Sequence, residues 1–374
     1  MKFVVSSSLL LKNLKNIGGV VASNPVVPIL ENILFDVYDN VLSATASDMQ
    51  SSVKTSIDVE ADGNGMVAVP AKKLLETLAN LPEQPITITV DEDTYAVEIQ
   101  SDNGYYKLSG ENAVDFPKMP EVNNAFSIEF ASSALLRTIN FTLFATSTDD
   151  MRPAMGGIYF QLKADKGVFA ATDGHRLVRY TRTDISSANE TAILLPRKAM
   201  SLLKSMLVDD DTVVTVNFNQ TNAHFEFNNM QMICRLLDER YPDYENAIPL
   251  NNINVMTIGR QDLMNSLKRI SIYSNKVTNQ VRFKIGDDQL HISAEDLDFS
   301  NEANETLPCE YEGKQLEIGF NSRFFSEILA NLDTNLIDLE LSEPNKAGLI
   351  IPKTMKENED LLMLVMPVML NQYA

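Results

Sequence analysis

Asp173 and His175 stand two residues apart in Ala171-Thr172-Asp173-Gly174-His175-Arg176-Leu177, and a carboxylate beside an imidazole can move protons in acid–base chemistry. No nucleophile is matched to them. His224 and His291 stand singly in strand-like text, and neither His-x-x-x-His nor Glu-x-x-His occurs, so no metal ligand set is expected. Gly18-Gly19 and Gly156-Gly157 lack the Gly-Lys-Ser/Thr ending of a nucleotide-phosphate loop. Cys234 and Cys309 form no Cys-x-x-Cys pattern, which leaves them as buried free thiols rather than a disulfide framework or a zinc site. These residues predict a protein that binds rather than catalyses, with no cofactor.

The chemistry lies instead in where the cations fall. Six windows have helical character: 8–20, 70–80, 131–145, 196–207, 260–273 and 320–331. They hold twelve basic residues, namely Lys12, Lys15, Lys72, Lys73, Arg137, Arg197, Lys198, Lys204, Arg260, Lys268, Arg269 and Arg323. Their only acidic residues are Glu76, Asp262 and Glu327. The chain carries a formal charge of −20, so the helices are positive on a strongly negative body. Glutamate favours helices about as well as lysine, so helix propensity does not explain its scarcity there. Basic helices turned to one side could track DNA phosphates without reading bases, while the acidic remainder would repel DNA.

The elements that position these residues recur. Pro117, Pro242 and Pro367 each follow an apolar residue and lie 125 residues apart. A second landmark opens a helical pattern at Val69-Pro70-Ala71-Lys72-Lys73, Leu195-Pro196-Arg197-Lys198 and Gly319-Phe320-Asn321-Ser322-Arg323. A third closes strand-like text at Asp48, Asp173 and Asp296. Three landmarks in one order and one period predict three repeats, placed at 1–121, 122–249 and 250–374.

Within each repeat the pattern predicts a strand, a helix, two or three strands, a second helix and further strands. Leu9, Leu10, Leu14 and Ile17 make an apolar stripe at helical spacing, as do Leu135, Leu136, Ile139 and Leu143, and Leu263, Leu267 and Ile270. Second helices are expected over 71–80, 197–207 and 322–331. Alternating segments such as Ile86-Thr87-Ile88-Thr89-Val90 predict sheets with one wet face. The fold class is α+β, with two helices packed on antiparallel sheet in each repeat. At 374 residues with 44% hydrophobic and 22% charged residues, the chain has ample core for several domains. No apolar run approaches a bilayer span and the start lacks a signal-peptide stretch, so no membrane association and a cytoplasmic location are expected.

With these residues in view, the chain resembles the bacterial DNA polymerase III beta subunit, the sliding-clamp family, over its whole length. The most specific match is the segment 171–177 given above. Pro28-Ile29-Leu30-Glu31-Asn32, Tyr241-Pro242-Asp243-Tyr244, Ile318-Gly319-Phe320-Asn321 and Val365-Met366-Pro367 join the two helix-opening prolines in support. The resemblance implies three clamp units per chain and a head-to-tail homodimer that closes a ring around duplex DNA. Its implied partners are the replicative polymerase alpha subunit, the clamp loader, repair polymerases and other clamp-motif proteins.

Carried over by position, the family's peptide pocket would comprise Met155, Thr172, Gly174, His175, Arg176, Leu177, Pro242, Asn321, Phe324, Val365, Met366, Pro367 and Val368. Arg176 and Asn321 are expected to hydrogen-bond a peptide backbone over an apolar floor. DNA contacts are expected at Lys12, Lys15, Lys72, Lys73, Arg137, Arg197, Lys198, Lys204 and Lys268. Dimer contacts are expected at Tyr106 and Leu108, facing Ile272 and Tyr273. The sequence departs from the family pattern at Asn24 and Asn246, where a basic residue is common, and after Leu370, where Asn371, Gln372, Tyr373 and Ala374 follow. A repeat-built peptide scaffold that never meets DNA is the competing reading.

Overall fold

The computed structural model describes every residue except Ser23, Asn124, Ala188 and 371–374, so the chain's departure from the family pattern after Leu370 lies outside the described residues. The first repeat runs β1 (Lys2–Ser6), α1 (Ser7–Gly18), β2 (Asn32–Tyr38), β3 (Val41–Ser47), β4 (Ser51–Asp58), β5 (Glu60–Asp62), β6 (Gly65–Pro70), α2 (Ala71–Ala79), β7 (Pro85–Val90), β8 (Ala96–Ser101) and β9 (Gly104–Ser109). The second runs β10 (Phe126–Ala131), α3 (Ser132–Thr142), β11 (Gly157–Leu162), β12 (Gly167–Thr172), β13 (Arg176–Arg182), β14 (Thr191–Pro196), α4 (Arg197–Met206), β15 (Val213–Phe218), β16 (Asn222–Phe227) and β17 (Met230–Arg235). The third runs β18 (Asn254–Gly259), α5 (Arg260–Ile270), β19 (Gln280–Gly286), β20 (Gln289–Asp296), β21 (Asn301–Pro308), β22 (Glu310–Glu312), β23 (Leu316–Asn321), α6 (Ser322–Ala330), β24 (Leu336–Leu341), β25 (Gly348–Pro352), β26 (Glu359–Val365) and β27 (Pro367–Val368).

The order repeats three times, and each second helix starts directly after a strand at Pro70, Pro196 or Asn321. Between the two helices, however, lie four or five strands rather than two or three. Tight turns conceal the extra boundaries in the sequence. Asp39 and Asn40 have φ of 48° and 60°, and Asp287 and Asp288 have 51° and 56°, the left-handed pair that a two-residue hairpin needs.

The backbone forms two compact units, and neither is a repeat. Unit 1 comprises Met1–Leu136 and Lys198–Leu236, and unit 2 comprises Arg137–Arg197 and Leu237–Ala374. Unit 1 holds a five-stranded sheet, β5-β1-β7-β8-β9, and an eight-stranded sheet, β10-β15-β16-β17-β4-β3-β2-β6. The larger sheet is continuous because β17 pairs antiparallel with β4, Met230 opposite Thr55 and Cys234 opposite Ser51. Unit 2 repeats the scheme with a nine-stranded sheet, β14-β11-β12-β13-β26-β25-β24-β18-β22, and a five-stranded one, β21-β20-β19-β23-β27. There β13 pairs with β26, Arg176 opposite Val365 through Arg182 opposite Glu359. Each large sheet therefore takes strands from two sequence repeats.

The helices bury one stripe each, narrower than the spacing predicts, for Leu9 is exposed and Leu136 and Leu143 are half-buried. α1 buries Leu10, Leu14 and Ile17, α4 buries Met200, Leu203 and Met206, and α5 buries Leu263, Leu267 and Ile270. In unit 2 the rings of Phe283, Phe320 and Phe325 meet with centroids 5.2–5.4 Å apart beneath α6. Cys234 is buried, and burial pushes its thiol up to about 12, whereas Cys309 is only half-buried, contrary to expectation.

Candidate functional site

In unit 1 the helix faces opposite the core are basic. Lys12 and Lys15 on α1, Lys72 and Lys73 on α2, and Lys204 on α4 are all exposed. They have no carboxylate partner among the described residues. α1 lies against both neighbours: a Cβ on Gly18 would come within 3.2 Å of Leu75 on α2, and one on Gly19 within 3.1 Å of Leu202 on α4. Lys198 bonds Asp48, yet its side chain stays 70% exposed. In unit 2, Arg197 and Lys268 are exposed as well.

Arg137 is a correction. Its side chain is 19% exposed and its Nε lies 3.0 Å from both carboxylate oxygens of Glu359, while Nη1 bonds Asp333. Glu359, 1% exposed, also accepts from Nη1 of Arg182 at 3.2 Å. Arg182 in turn holds Asp184 and donates to the Tyr180 hydroxyl at 3.1 Å. Burial alone would raise the Asp333 carboxyl, but its bond to Arg137 holds it below the ordinary value. Arg137 is therefore spent inside unit 2 and is unavailable to phosphate.

The Asp-Gly-His-Arg turn joins β12 to β13 in unit 2. Asp173 accepts from the backbone N–H of His175 at 2.9 Å and of Arg176 at 3.0 Å, and from Arg176 Nε at 3.1 Å. Its carboxylate builds the turn and is not a free base. Gly174 sits at φ 88°, a conformation that glycine takes without strain, and a Cβ there would stand 3.0 Å from the Arg152 guanidinium. Thr172 donates to the Arg176 carbonyl at 2.7 Å and accepts from Gly174 N–H at 3.1 Å.

Most of the expected pocket residues converge on this turn. Met366 N–H donates to the His175 carbonyl at 2.8 Å, which ties the chain after β26 to the turn. Pro367 and Val368 then pair with Phe320 and Gly319. The His175 imidazole stacks on Phe324 of α6, with centroids 5.3 Å apart and planes 16° apart. Leu177 packs with Tyr244, Leu349, Leu362 and Leu364, against which Tyr159 and Tyr241 also lie. Pro242 stands between Tyr241 and Tyr244 in sequence, and its carbonyl accepts from Tyr244 N–H at 2.8 Å. Met155 ends a short turn whose Arg152 reaches the Asp173 carbonyl at 3.4 Å.

Two polar assignments need correction. Arg176 is 7% exposed, and each of its three nitrogens already bonds a partner, Asp173, Glu327 or the Phe144 carbonyl. Asn321 caps α6 by accepting from Arg323 and Phe324 N–H, and its amide donates to the Thr278 carbonyl at 3.1 Å. Both side chains are thus engaged within unit 2, Arg176 in holding the turn and Asn321 in capping α6. Sequence reasoning missed Leu349, Leu364 and Tyr244, because the two leucines lie in continuous apolar runs, Leu-Ile-Ile in β25 and Leu-Leu-Met-Leu-Val in β26, that do not show which side chains face the turn.

Of the expected dimer residues, Ile272 (65%), Tyr273 (44%) and Tyr106 (39%) are exposed, but Leu108 is 8% exposed because it faces inward from the edge strand β9. A cavity of about 450 Å³ lies beside that edge, with Lys73, Leu81, Tyr106 and Leu108 in its wall. Among the described residues no helix is long and apolar enough to cross a membrane.

Three family models match the chain in sequence order. They are the DNA polymerase III beta subunit N-terminal domain over residues 1–120, central domain over 129–243 and C-terminal domain over 245–369. The beta sliding clamp of Synechococcus elongatus is 29% identical, with 94% of this chain and 96% of that protein covered. That of Vibrio cholerae is 27% identical, with 99% and 100% covered. Solved structures of DNA sliding clamps bound to griselimycin are similar throughout: that from Pseudomonas aeruginosa has a TM-score of 0.94 at 29% identity, and that from Bartonella birtlesii 0.93 at 30%. Both cover 99% of this chain and 100% of their own. Sequence period, sheet order and these matches agree, and the chain belongs to the DNA polymerase III beta subunit family.

Proposed function

We infer that the chain is a DNA sliding clamp, a processivity factor that encircles duplex DNA, tethers the replicative polymerase and performs no catalysis of its own. The observation that carries this reading is the set of exposed, unpaired lysines on the helices of a chain with net charge −20. Such a surface neutralises phosphates without reading sequence. We place the clamp units at 1–121, 122–249 and 250–374, and the DNA contacts at Lys12, Lys15, Lys72, Lys73, Arg197, Lys198, Lys204 and Lys268.

Two copies would close the ring head to tail. The edge strands β9 and β21 each lack one neighbour, and Ile272 and Tyr273 of one copy would enter the cavity beside Tyr106 of the other. The surface around His175, Leu177, Phe324 and Met366 would take short peptide motifs of polymerases, the clamp loader and repair proteins, and griselimycin as well. We assign the protein to the cytoplasm. Energy for ring opening would come from a nucleotide-using loader, since this chain has no phosphate-loop sequence.

Topology tests the reading. Clamp loaded on a closed circle should survive a high-salt wash and leave once the circle is cut, because a linked ring needs no tight contact. Equal loss from both forms would refute encirclement. The helix assignment is tested separately: Lys12→Gln, Lys15→Gln or Lys73→Gln should each reduce the slope of log affinity against log salt by about 0.9 on unclosed DNA. An unchanged slope would place the phosphates elsewhere.

A further inference from the structure

The buried guanidinium of Arg176 sits between two aromatic rings, its Cζ 5.1 Å from the ring centroid of Phe144 and 5.1 Å from that of Phe324. Its three nitrogens each have a separate partner: Nε bonds Asp173 at 3.1 Å, Nη2 bonds the Phe144 carbonyl at 2.8 Å, and Nη1 bonds Glu327 at 2.5 Å. Phe324 and Glu327 lie one turn apart on α6, while Asp173 and Arg176 belong to the β12–β13 turn. The ring of Phe324 that packs beside Arg176 also carries the exposed His175 imidazole.

We propose that Arg176 and Glu327 are positioning residues for the peptide surface. They hold Phe324 and His175 as a rigid shelf, and they do so without touching the ligand. The proposal rests on the reading of this surface as the peptide site. Only a planar, multidentate cation can satisfy three acceptors in different directions while lying between two rings. A lysine would keep the charge but could neither stack nor reach all three. The shelf would then lose its order before binding, and a partner would have to restore it at the cost of affinity.

The test uses the full chain with labelled histidines, which number three and so give an assignable spectrum. In the unsubstituted protein, griselimycin should move the His175 ring signals. Arg176→Lys should shift those signals towards an unstacked position, weaken griselimycin roughly tenfold and leave His224 and His291 unmoved. Glu327→Gln, on an exposed side chain with little risk to folding, should do the same to a smaller degree, and Phe324→Tyr should retain both stacking and affinity. Full affinity in Arg176→Lys and Glu327→Gln would overturn the proposal. So would lost affinity with an unmoved His175 signal, because Arg176 would then act on the ligand directly. If griselimycin leaves His175 unmoved in the unsubstituted protein, the site reading falls and the proposal with it, a result seen before any substitution is made.

Discussion

Glu359→Ala is expected to destabilise unit 2 by about 3–5 kcal/mol, the cost typical of removing one partner from a buried ion pair. Glu359 is 1% exposed and lies between Arg137 and Arg182 at the start of β26. Alanine would leave two guanidinium groups facing each other across a cavity. Their remaining partners, Asp333 and Asp184, are 55% and 37% exposed, and water screens what they can return. Glu359→Gln should cost less, because its amide oxygen still accepts one hydrogen bond. Urea unfolding followed by circular dichroism suits a chain without tryptophan. A loss below about 1 kcal/mol, the level of an exposed pair, would show that the network is solvated and not a structural joint.

On the proposed reading of the His175 surface as the peptide site, removing all residues after Val365 should weaken griselimycin at least about 100-fold, since it deletes an anchoring part of that surface rather than its rim. The cut takes away Met366, Pro367 and Val368, and with them the Met366 bond to His175 and the short pairing that covers β23. Calorimetry reads the affinity, and light scattering reads the mass. On the proposed head-to-tail closure through β9 and β21, which the cut leaves untouched, the mass should equal that of the uncut protein. Unchanged affinity would place the ligand elsewhere on the molecule.

The sequence showed the repeats because the landmarks are local. A proline or asparagine that opens a helix keeps the same role in all three repeats, whereas Phe116, Tyr241 and Met366 before the periodic prolines are buried, half-buried and exposed respectively. The lysines on α1, α2 and α4 were legible for the same reason, since one apolar stripe leaves only one wet face. Two features were hidden. Arg137 reads as a phosphate-facing cation and Arg176 as a peptide donor because nothing local announces the distant carboxylates: Glu359 is 222 residues from Arg137, and Glu327 is 151 from Arg176. The extent of the sheets was hidden too. The repeat marks where the chain starts over, whereas β4–β17 and β13–β26 pairing decides where each sheet ends. Asn321 is an intermediate case, for an asparagine before Ser322 is a readable helix cap, yet the family resemblance points to it as a ligand donor.

The β13–β26 pairing also sets a timetable for biosynthesis. Val178 and Tyr180 leave the ribosome early, but the strand that covers their edge, with Met363 and Leu361 opposite them, comes more than 180 residues later. At about 5–20 residues per second, β13 would wait roughly 10 to 40 seconds with one edge unpaired. Unit 1 can close once Leu236 has emerged, so the two halves of the middle repeat mature at different times. During that interval the nascent chain presents an open, apolar strand edge of the kind that invites mispairing, and chaperones would find their substrate there.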